Sequence, residues 1–278
     1  MAVQATELDS LRRTCIDLAR RGAQIARKMQ RTDIPRQRKA DRSLVTEADT
    51  TVENALIEII TKEFPNDAII GEESSGMMRG ADPVGAERFW IIDPIDGTRS
   101  FARCLPCFAC SVAVANRTMP IAGAVVEAGT GMTVSAMAGG GTWHGHDRVQ
   151  VTEDPFAGDV LMGVPSKHRL PLPQPVTQWL NKYVVRNYGS AALHLSMAAA
   201  GILDAALVME CYIWDIAAAG LAVLEAGGLF TDFQGRPIFP MDIPAQATTP
   251  QRLSILAGSP KCHPLLLADL GSDNTIND

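Results

Sequence analysis

The chain has 278 residues, 46% hydrophobic and 20% charged, with 31 acidic residues against 25 Lys and Arg and a net charge of −6. That is the composition of an ordinary soluble globular protein, with length enough for one large domain or two closely packed ones. The acidic balance, without any basic block or aromatic-studded basic stripe, argues against a nucleic-acid partner. An acidic chain can still bind anionic ligands if it recruits metal cations locally, which makes carboxylate clusters the feature to look for.

The first fourteen residues, MAVQATELDSLRRT, lack the apolar core of a signal peptide. Six cysteines without a secretion signal read as reduced thiols of a cytoplasmic protein. Residues 7–29 place Leu8, Leu11, Cys15, Leu18, Ile25 and Met29 at helical spacing. A second helix is expected from about Thr46, with Thr46 and Asp49 as caps, through Val52, Leu56, Ile59 and Ile60 to the Pro65-Asn66-Asp67 stop. Two short apolar runs, 68–70 and 89–92, each stop at acidic residues, the pattern of buried strands that deliver carboxylates at their ends. Residues 108–115, 121–126 and 132–138 read as strands, and Gly139-Gly140-Gly141 as a loop.

The Pro-rich stretch 165–175 breaks the pattern. Beyond it, helices are expected at 176–183, 190–200, 215–226 and 262–269, alternating with strands at 204–209, 229–232 and 254–257. The apolar stretch Ala191–Met209 is interrupted by His194 and Asp204, so it reads as a helix followed by a strand and not as a membrane span. We therefore expect an α+β half over residues 1–155, carrying most of the candidate acids, and an α/β half over 156–278 that completes the site.

Three segments place acids where a strand gives way to a turn or helix: Gly71-Glu72-Glu73, Asp93-Pro94-Ile95-Asp96-Gly97-Thr98, and Trp214-Asp215. A hard cation such as Mg²⁺ takes oxygen ligands, which acids from several strand ends could supply together with the Ile95 carbonyl. No His or Cys set at zinc spacing competes. The Gly97 and Thr98 amides could open a helix and bind phosphate at its positive end. Taken singly, these segments are equally compatible with solvated turn carboxylates.

Trp90-Ile91-Ile92-Asp93-Pro94-Ile95-Asp96-Gly97-Thr98, followed by Phe101, closely resembles the signature of the inositol monophosphatase family. The upstream Gly71-Glu72-Glu73, the downstream Trp214-Asp215-Ile216-Ala217, Val45-Thr46-Glu47-Ala48-Asp49, Gly189-Ser190-Ala191-Ala192 and Glu225-Ala226-Gly227-Gly228 extend the resemblance over about residues 38–235. The resemblance implies a layered αβαβα sandwich of the sugar-phosphatase type, in a lithium-sensitive enzyme that is usually a homodimer. It implies two or three Mg²⁺ ions held by Glu72, Asp93, Asp96, Asp215 and the Ile95 carbonyl. Glu72 and Thr98 would activate water, with Asp49 hydrogen-bonded to Thr98. The Gly97 and Thr98 amides would hold phosphate, and Ser190, Ala191, Glu210, Asp96 and Asp215 would meet the rest of a small phosphate monoester.

An inositol or similar polyol phosphate is the favoured substrate. Ser100 stands where inositol monophosphatases commonly carry Asn, and Lys39-Ala40-Asp41-Arg42-Ser43 with Arg99-Ser100-Phe101 looks like histidinol-phosphatase relatives. Histidinol phosphate is therefore the alternative, ahead of a 3′(2′),5′-bisphosphate nucleotide, fructose 1,6-bisphosphate, or a non-catalytic metal-binding scaffold. The two-residue spacing between Asp93 and Asp96 disfavours an aspartyl-phosphate mechanism, whose motif has one residue between its acids. Cys104, Cys107 and Cys110 have iron–sulfur spacing but no fourth cysteine nearby, and read as core or near-core thiols. His144-Gly145-His146 reads as a turn and Lys167-His168-Arg169 as an exposed loop.

Overall fold

The computed structural model describes residues 5–30, 36–38, 44–74, 79–80, 85–153, 160–165 and 171–271. In chain order the elements are α1 (Ala5–Met29), β1 (Arg36–Arg38), β2 (Leu44–Thr46), α2 (Glu47–Glu63), β3 (Ala68–Gly71), β4 (Arg79–Gly80) and β5 (Phe89–Asp96). Then come α3 (Thr98–Ala102), β6 (Ala109–Ala115), β7 (Pro120–Glu127), β8 (Thr133–Met137), β9 (Gly141–His144), β10 (Asp147–Val149), β11 (Leu161–Gly163), α4 (Gln174–Lys182) and β12 (Val184–Arg186). The chain ends with α5 (Ala191–Ala199), β13 (Ala205–Cys211), α6 (Ile213–Glu225), β14 (Leu229–Asp232), α7 (Ile243–Thr248), β15 (Leu253–Gly258) and α8 (Cys262–Gly271).

Among the described residues, one sheet has eight strands in the order β10-β9-β8-β7-β6-β5-β3-β4, and a second has five, β12-β11-β13-β15-β14. The large sheet is antiparallel except where β3 runs parallel to β5. Its central strands are buried on both faces, and alternation decides which core each residue joins. Trp90 and Ile92 of β5 pack with α1 and α2, whereas Phe89 and Ile91 face α5 and α6. The small sheet covers the other side of α5 and α6, and α4 and α8 close its outer face around Met162, Trp179, Leu207 and Leu266. The result is the five-layer αβαβα sandwich.

The central layer explains why α6 reads as almost wholly apolar: it lies between two sheets. Its Ala217-Ala218-Ala219-Gly220 run lets it approach closely, and a Cβ on Gly123 of β7 would sit 2.8 Å from the Ala218 Cα. The same need for small residues shifts the buried face of α1. Leu11, Cys15, Leu18, Ala19, Gly22, Ala23 and Ala26 are buried, while Leu8, Ile25 and Met29 lie at the margin.

Other departures from the sequence reading follow from tertiary pairing. The triple glycine leads straight into the β9–β10 hairpin, with Gly141 at φ +99° as the first residue of β9. The five-stranded sheet is mixed, with β11 parallel to β12 and β13 but β15 antiparallel to β13 and β14. The short strands β11 and β12 lack the apolar length that would announce them. The two sheets draw on separate stretches, 68–149 and 161–258, and the interval 154–159 lies outside the described residues.

Gly123→Ala is expected to push α6 off β7 and cost about 1–3 kcal/mol, the usual range for overpacking. A lower denaturant midpoint checks this.

Candidate active site

Three elements of the fold point acids at one place. β3 ends at Gly71, and the next residue, Glu72, still donates its amide to the Ile92 carbonyl at 3.2 Å, which keeps it beside β5. In a regular strand, residues three apart face opposite sides. Pairing of β5 with β6 slips between Asp93 and Asp96, and this irregularity re-aims one acid so that both share a side. Asp93 Oδ1 accepts from the Ile95 amide at 3.0 Å, which folds the turn. Asp215 is the third residue of α6, and its Oδ2 accepts from the Tyr212 amide at 2.5 Å as half of a capping box. Asp93, Asp96 and Asp215 each offer a carboxylate oxygen within 4.8 Å of the others. Glu72, Asp96 and Asp215 line a cavity of about 260 Å³.

Like charges this close are unfavourable. Burial, then the charges of Glu72, Asp96 and Asp215, raise Asp93 well above the usual carboxylate range. Burial first, then Asp96 and Glu72, do the same to Asp215. Asp96 is pushed up to about 6 by burial, against the pull of hydrogen bonds from Ser190 and the Ala191 and Ala192 amides. Two helix starts offset part of the repulsion. Asp96 Oδ2 sits at the start of α5, accepting from Ser190 Oγ at 2.5 Å and the Ala192 amide at 2.6 Å, and Asp215 sits in the first turn of α6. Among the described residues, Asp93 Oδ2 is buried and meets no donor from the backbone or from any neutral or basic side chain, only the neighbouring Asp215 carboxyl. A buried carboxylate oxygen that faces only other acids is the environment a hard cation would complete.

The remaining expected residues surround this point. Thr98 opens α3, and its hydroxyl lies 3.4 Å from Asp49 Oδ1 and 3.2 Å from the Ile95 carbonyl oxygen. Asp49 comes from the first turn of α2 and is fully buried. Gly97 adopts φ +99°, and a Cβ there would come 3.1 Å from the Cys107 carbonyl oxygen. Gly97, Ser190, Ala191 and Glu210 all line the cavity. Ser190 commits its single O–H to Asp96 while its oxygen caps α5 by accepting from Leu193, so its side chain has no donor left for a ligand. Glu210 sits at a bulge in β13 with φ +51°, and its carboxylate meets Arg252 at 3.0 Å.

A family model described as the inositol monophosphatase family matches residues 7–273. The chain belongs to the inositol monophosphatase family. It is 36% identical over 211 residues to a Pasteurella multocida protein named Nus factor SuhB, covering 74% of this chain and 78% of that one. It is 33% identical over 216 residues to an Aquifex aeolicus protein named fructose-1,6-bisphosphatase/inositol-1-monophosphatase, with the same shares covered. Among solved structures, the Thermotoga maritima IMPase aligns with a TM-score of 0.80 at 26% identity, over 95% of this chain and 97% of that one. Membership makes the protein a phosphoric monoester hydrolase.

In this member of the inositol monophosphatase family, three residues that the sequence did not mark as part of the site support it. Glu53, one helical turn after Asp49, is 2% exposed and accepts from the amides of Glu73 and Ser74. An acid on the apolar Val52–Leu56–Ile60 face of α2 was the available signal. Arg252, the residue before β15, reaches Glu210 and lies over the Tyr212 ring. His194 is buried, which lowers it to about 4, and its Nε2 accepts from the Tyr188 amide at 2.9 Å, so the neutral ring carries its proton on Nδ1. Nothing in an apolar stretch distinguishes such a residue from a core histidine.

Other readings fall away from the site. Cys110 is buried as expected, but Cys107 is only half-buried, and Cys104 is exposed because the chain turns there with φ +60°. His144-Gly145-His146 forms the β9–β10 turn. Lys39–Ser43 and Lys167–Arg169 lie outside the described residues. No helix among the described residues is long and apolar enough to cross a membrane.

The electrostatics carry a sign. Acids whose folded pKa values are raised hold more protons folded than unfolded, so the chelated protein loses stability as pH rises from the ordinary carboxylate value of 3.8 through about 6, where Asp96 titrates. Asp93→Asn removes one of the repelling charges. In chelator it is expected to melt higher than the parent by roughly 2–4 °C or more, with the gap widening as pH is raised from 4 to 7. Melting curves of both proteins across that range check this.

Proposed function

We propose that this enzyme hydrolyses a compact polyol phosphate, of which inositol monophosphate is the prototype, in a Mg²⁺-dependent reaction. The observation that carries this is the convergence of Asp93, Asp96 and Asp215 to within 4.8 Å, with one Asp93 oxygen buried and, among the described residues, facing only another acid. Glu72, Asp93, Asp96, Asp215 and the Ile95 carbonyl are the residues that would hold two or three ions. Bound Mg²⁺ would lower the pKa of the attacking water and offset charge on the transferring phosphoryl group.

The chain's own groups position the reactants. With its O–H directed at Asp49, Thr98 keeps lone pairs to accept a hydrogen bond from water. Glu72, on the facing loop, takes the water's proton. The amides of Gly97 and Thr98 hold phosphate oxygens, and the φ of +99° at Gly97, close beside the Cys107 and Gly189 carbonyls, favours glycine there. Asp96 is fixed by Ser190 and the start of α5, so Ser190 acts on the ligand through Asp96, while Ala191 and Glu210 form the wall that meets the alcohol. Glu210, held by Arg252, accepts from substrate hydroxyls.

A cavity of about 260 Å³ lies at the small end of ligand pockets, which favours one hydroxylated ring over a nucleotide. Because the Aquifex aeolicus relative carries both names, fructose 1,6-bisphosphate belongs in the same comparison.

Phosphate release is to be measured with Mg²⁺ from inositol 1-phosphate, histidinol phosphate, 3′-phosphoadenosine 5′-phosphate and fructose 1,6-bisphosphate. The highest kcat/KM is expected on inositol 1-phosphate, with all activity lost on chelation. Activity indifferent to chelation would refute the mechanism, and faster turnover of another compound would refute the substrate. Glu210→Ala is expected to lower kcat/KM for inositol 1-phosphate roughly tenfold or more relative to glycerol phosphate, leaving the half-saturating Mg²⁺ concentration unchanged.

A further inference from the structure

Glu72 follows directly from β3, yet what fixes residues 72–74 lies on α2. Glu53 is a buried carboxylate with one oxygen for each of two successive amides: Oε2 accepts from the Glu73 amide and Oε1 from the Ser74 amide, both at 2.8 Å. The fit is close on the strand side as well. A Cβ on Gly71 would lie 2.5 Å from Glu53 Oε2 and 2.6 Å from its carboxyl carbon, so any larger residue there would displace this carboxylate. Glu72 is thus held from both flanks, its own amide on Ile92 of β5 and the next two amides on Glu53.

Asp49 and Glu53 stand four residues apart, on one face of α2. Both are buried, Asp49 beside the Thr98 hydroxyl and Glu53 under the Glu72 loop. A single helix turn therefore sets two parts of the site against each other: Thr98 at the start of α3, and the carboxylate that follows β3. We propose that Glu53 is a positioning residue for cation binding, acting through the Glu72 loop and not by touching the ion or the substrate. The proposal rests on the reading of the acid cluster as a cation site. It adds that the affinity of that site is set partly by a carboxylate outside it. Hydrogen bonds behind the ligands of a metal site typically govern affinity by roughly 10–100-fold.

Glu53→Gln tests this with little change of shape. A carboxamide offers one oxygen and one NH₂ group, so one of the two loop amides then faces a donor. Mg²⁺ binding is measured by calorimetry without substrate, at a temperature where parent and variant are both folded, alongside kcat and KM for inositol 1-phosphate. The expected result is a loss of Mg²⁺ affinity of roughly tenfold or more, with KM for the phosphate ester nearly unchanged at saturating Mg²⁺. A purely structural role would lower the melting temperature and leave the affinity of the folded protein as it was, and that result overturns the proposal. A parent protein that neither binds Mg²⁺ nor hydrolyses the ester refutes the cation-site reading itself. A parent that does both, beside an unaffected Glu53→Gln, refutes only the role of Glu53.

Should Glu53→Gln fail to fold, hydrogen exchange on the parent and on Glu53→Asp serves instead. The Glu73 and Ser74 amides are expected to exchange slowly in the parent and faster with the shorter acid. Exchange at open-turn rates in the parent overturns the proposal.

Discussion

The structure is organised around holding like charges together where water is scarce. Asp93, Asp96 and Asp215 come within 4.8 Å of one another, with Glu72 close enough to raise their pKa values. Isolated carboxylates in such a place would protonate or move apart. Here each is restrained by a different part of the backbone. Asp96 is tied to the start of α5, Asp215 to the start of α6, and Asp93 to the turn that it closes. These contacts reduce the repulsion without removing it, and one Asp93 oxygen gains nothing from them. The folded protein keeps an unmet demand for positive charge at a single point.

The layered architecture is what makes that restraint possible. α5 and α6 lie between the two sheets and start at the acid cluster, where β5 of the large sheet delivers Asp93 and Asp96. Their positions depend on backbone-level contacts such as Gly123 against Ala218, so small residues far from the chemistry set the spacing of the carboxylates. On the outer side of the large sheet, α2 performs a related task by supplying Asp49 and Glu53. The site is therefore gripped from two layers, and a displacement of either would alter distances on which charge balance depends.

Much of this was legible in the sequence, and for identifiable reasons. Asp93-Pro94-Ile95-Asp96-Gly97-Thr98 follows an apolar run, so chemistry and strand end are written together, and Trp214-Asp215 opens an apolar helix in the same way. The αβαβα layering followed from the resemblance that those residues carry. What stayed hidden depends on contacts between distant segments. Glu53 stands on the apolar face of α2, which marks it as unusual, but the sequence does not say that its two oxygens meet the amides at 73 and 74. Arg252 lies 42 residues from Glu210, and β9 and β10 are too short and too polar to stand out. Cys104 was read with its neighbours as a near-core thiol because spacing alone does not show where a chain turns outward.

On this reading the pocket holds divalent cations. Crystals of the protein soaked in Mn²⁺, which scatters anomalously and stands in for Mg²⁺, would locate the ions directly. Anomalous peaks are expected within direct coordination distance of the carboxylates of Asp93, Asp96 and Asp215. Saturating Mn²⁺ that leaves this pocket without a peak, or that orders only elsewhere on the protein, would contradict this reading.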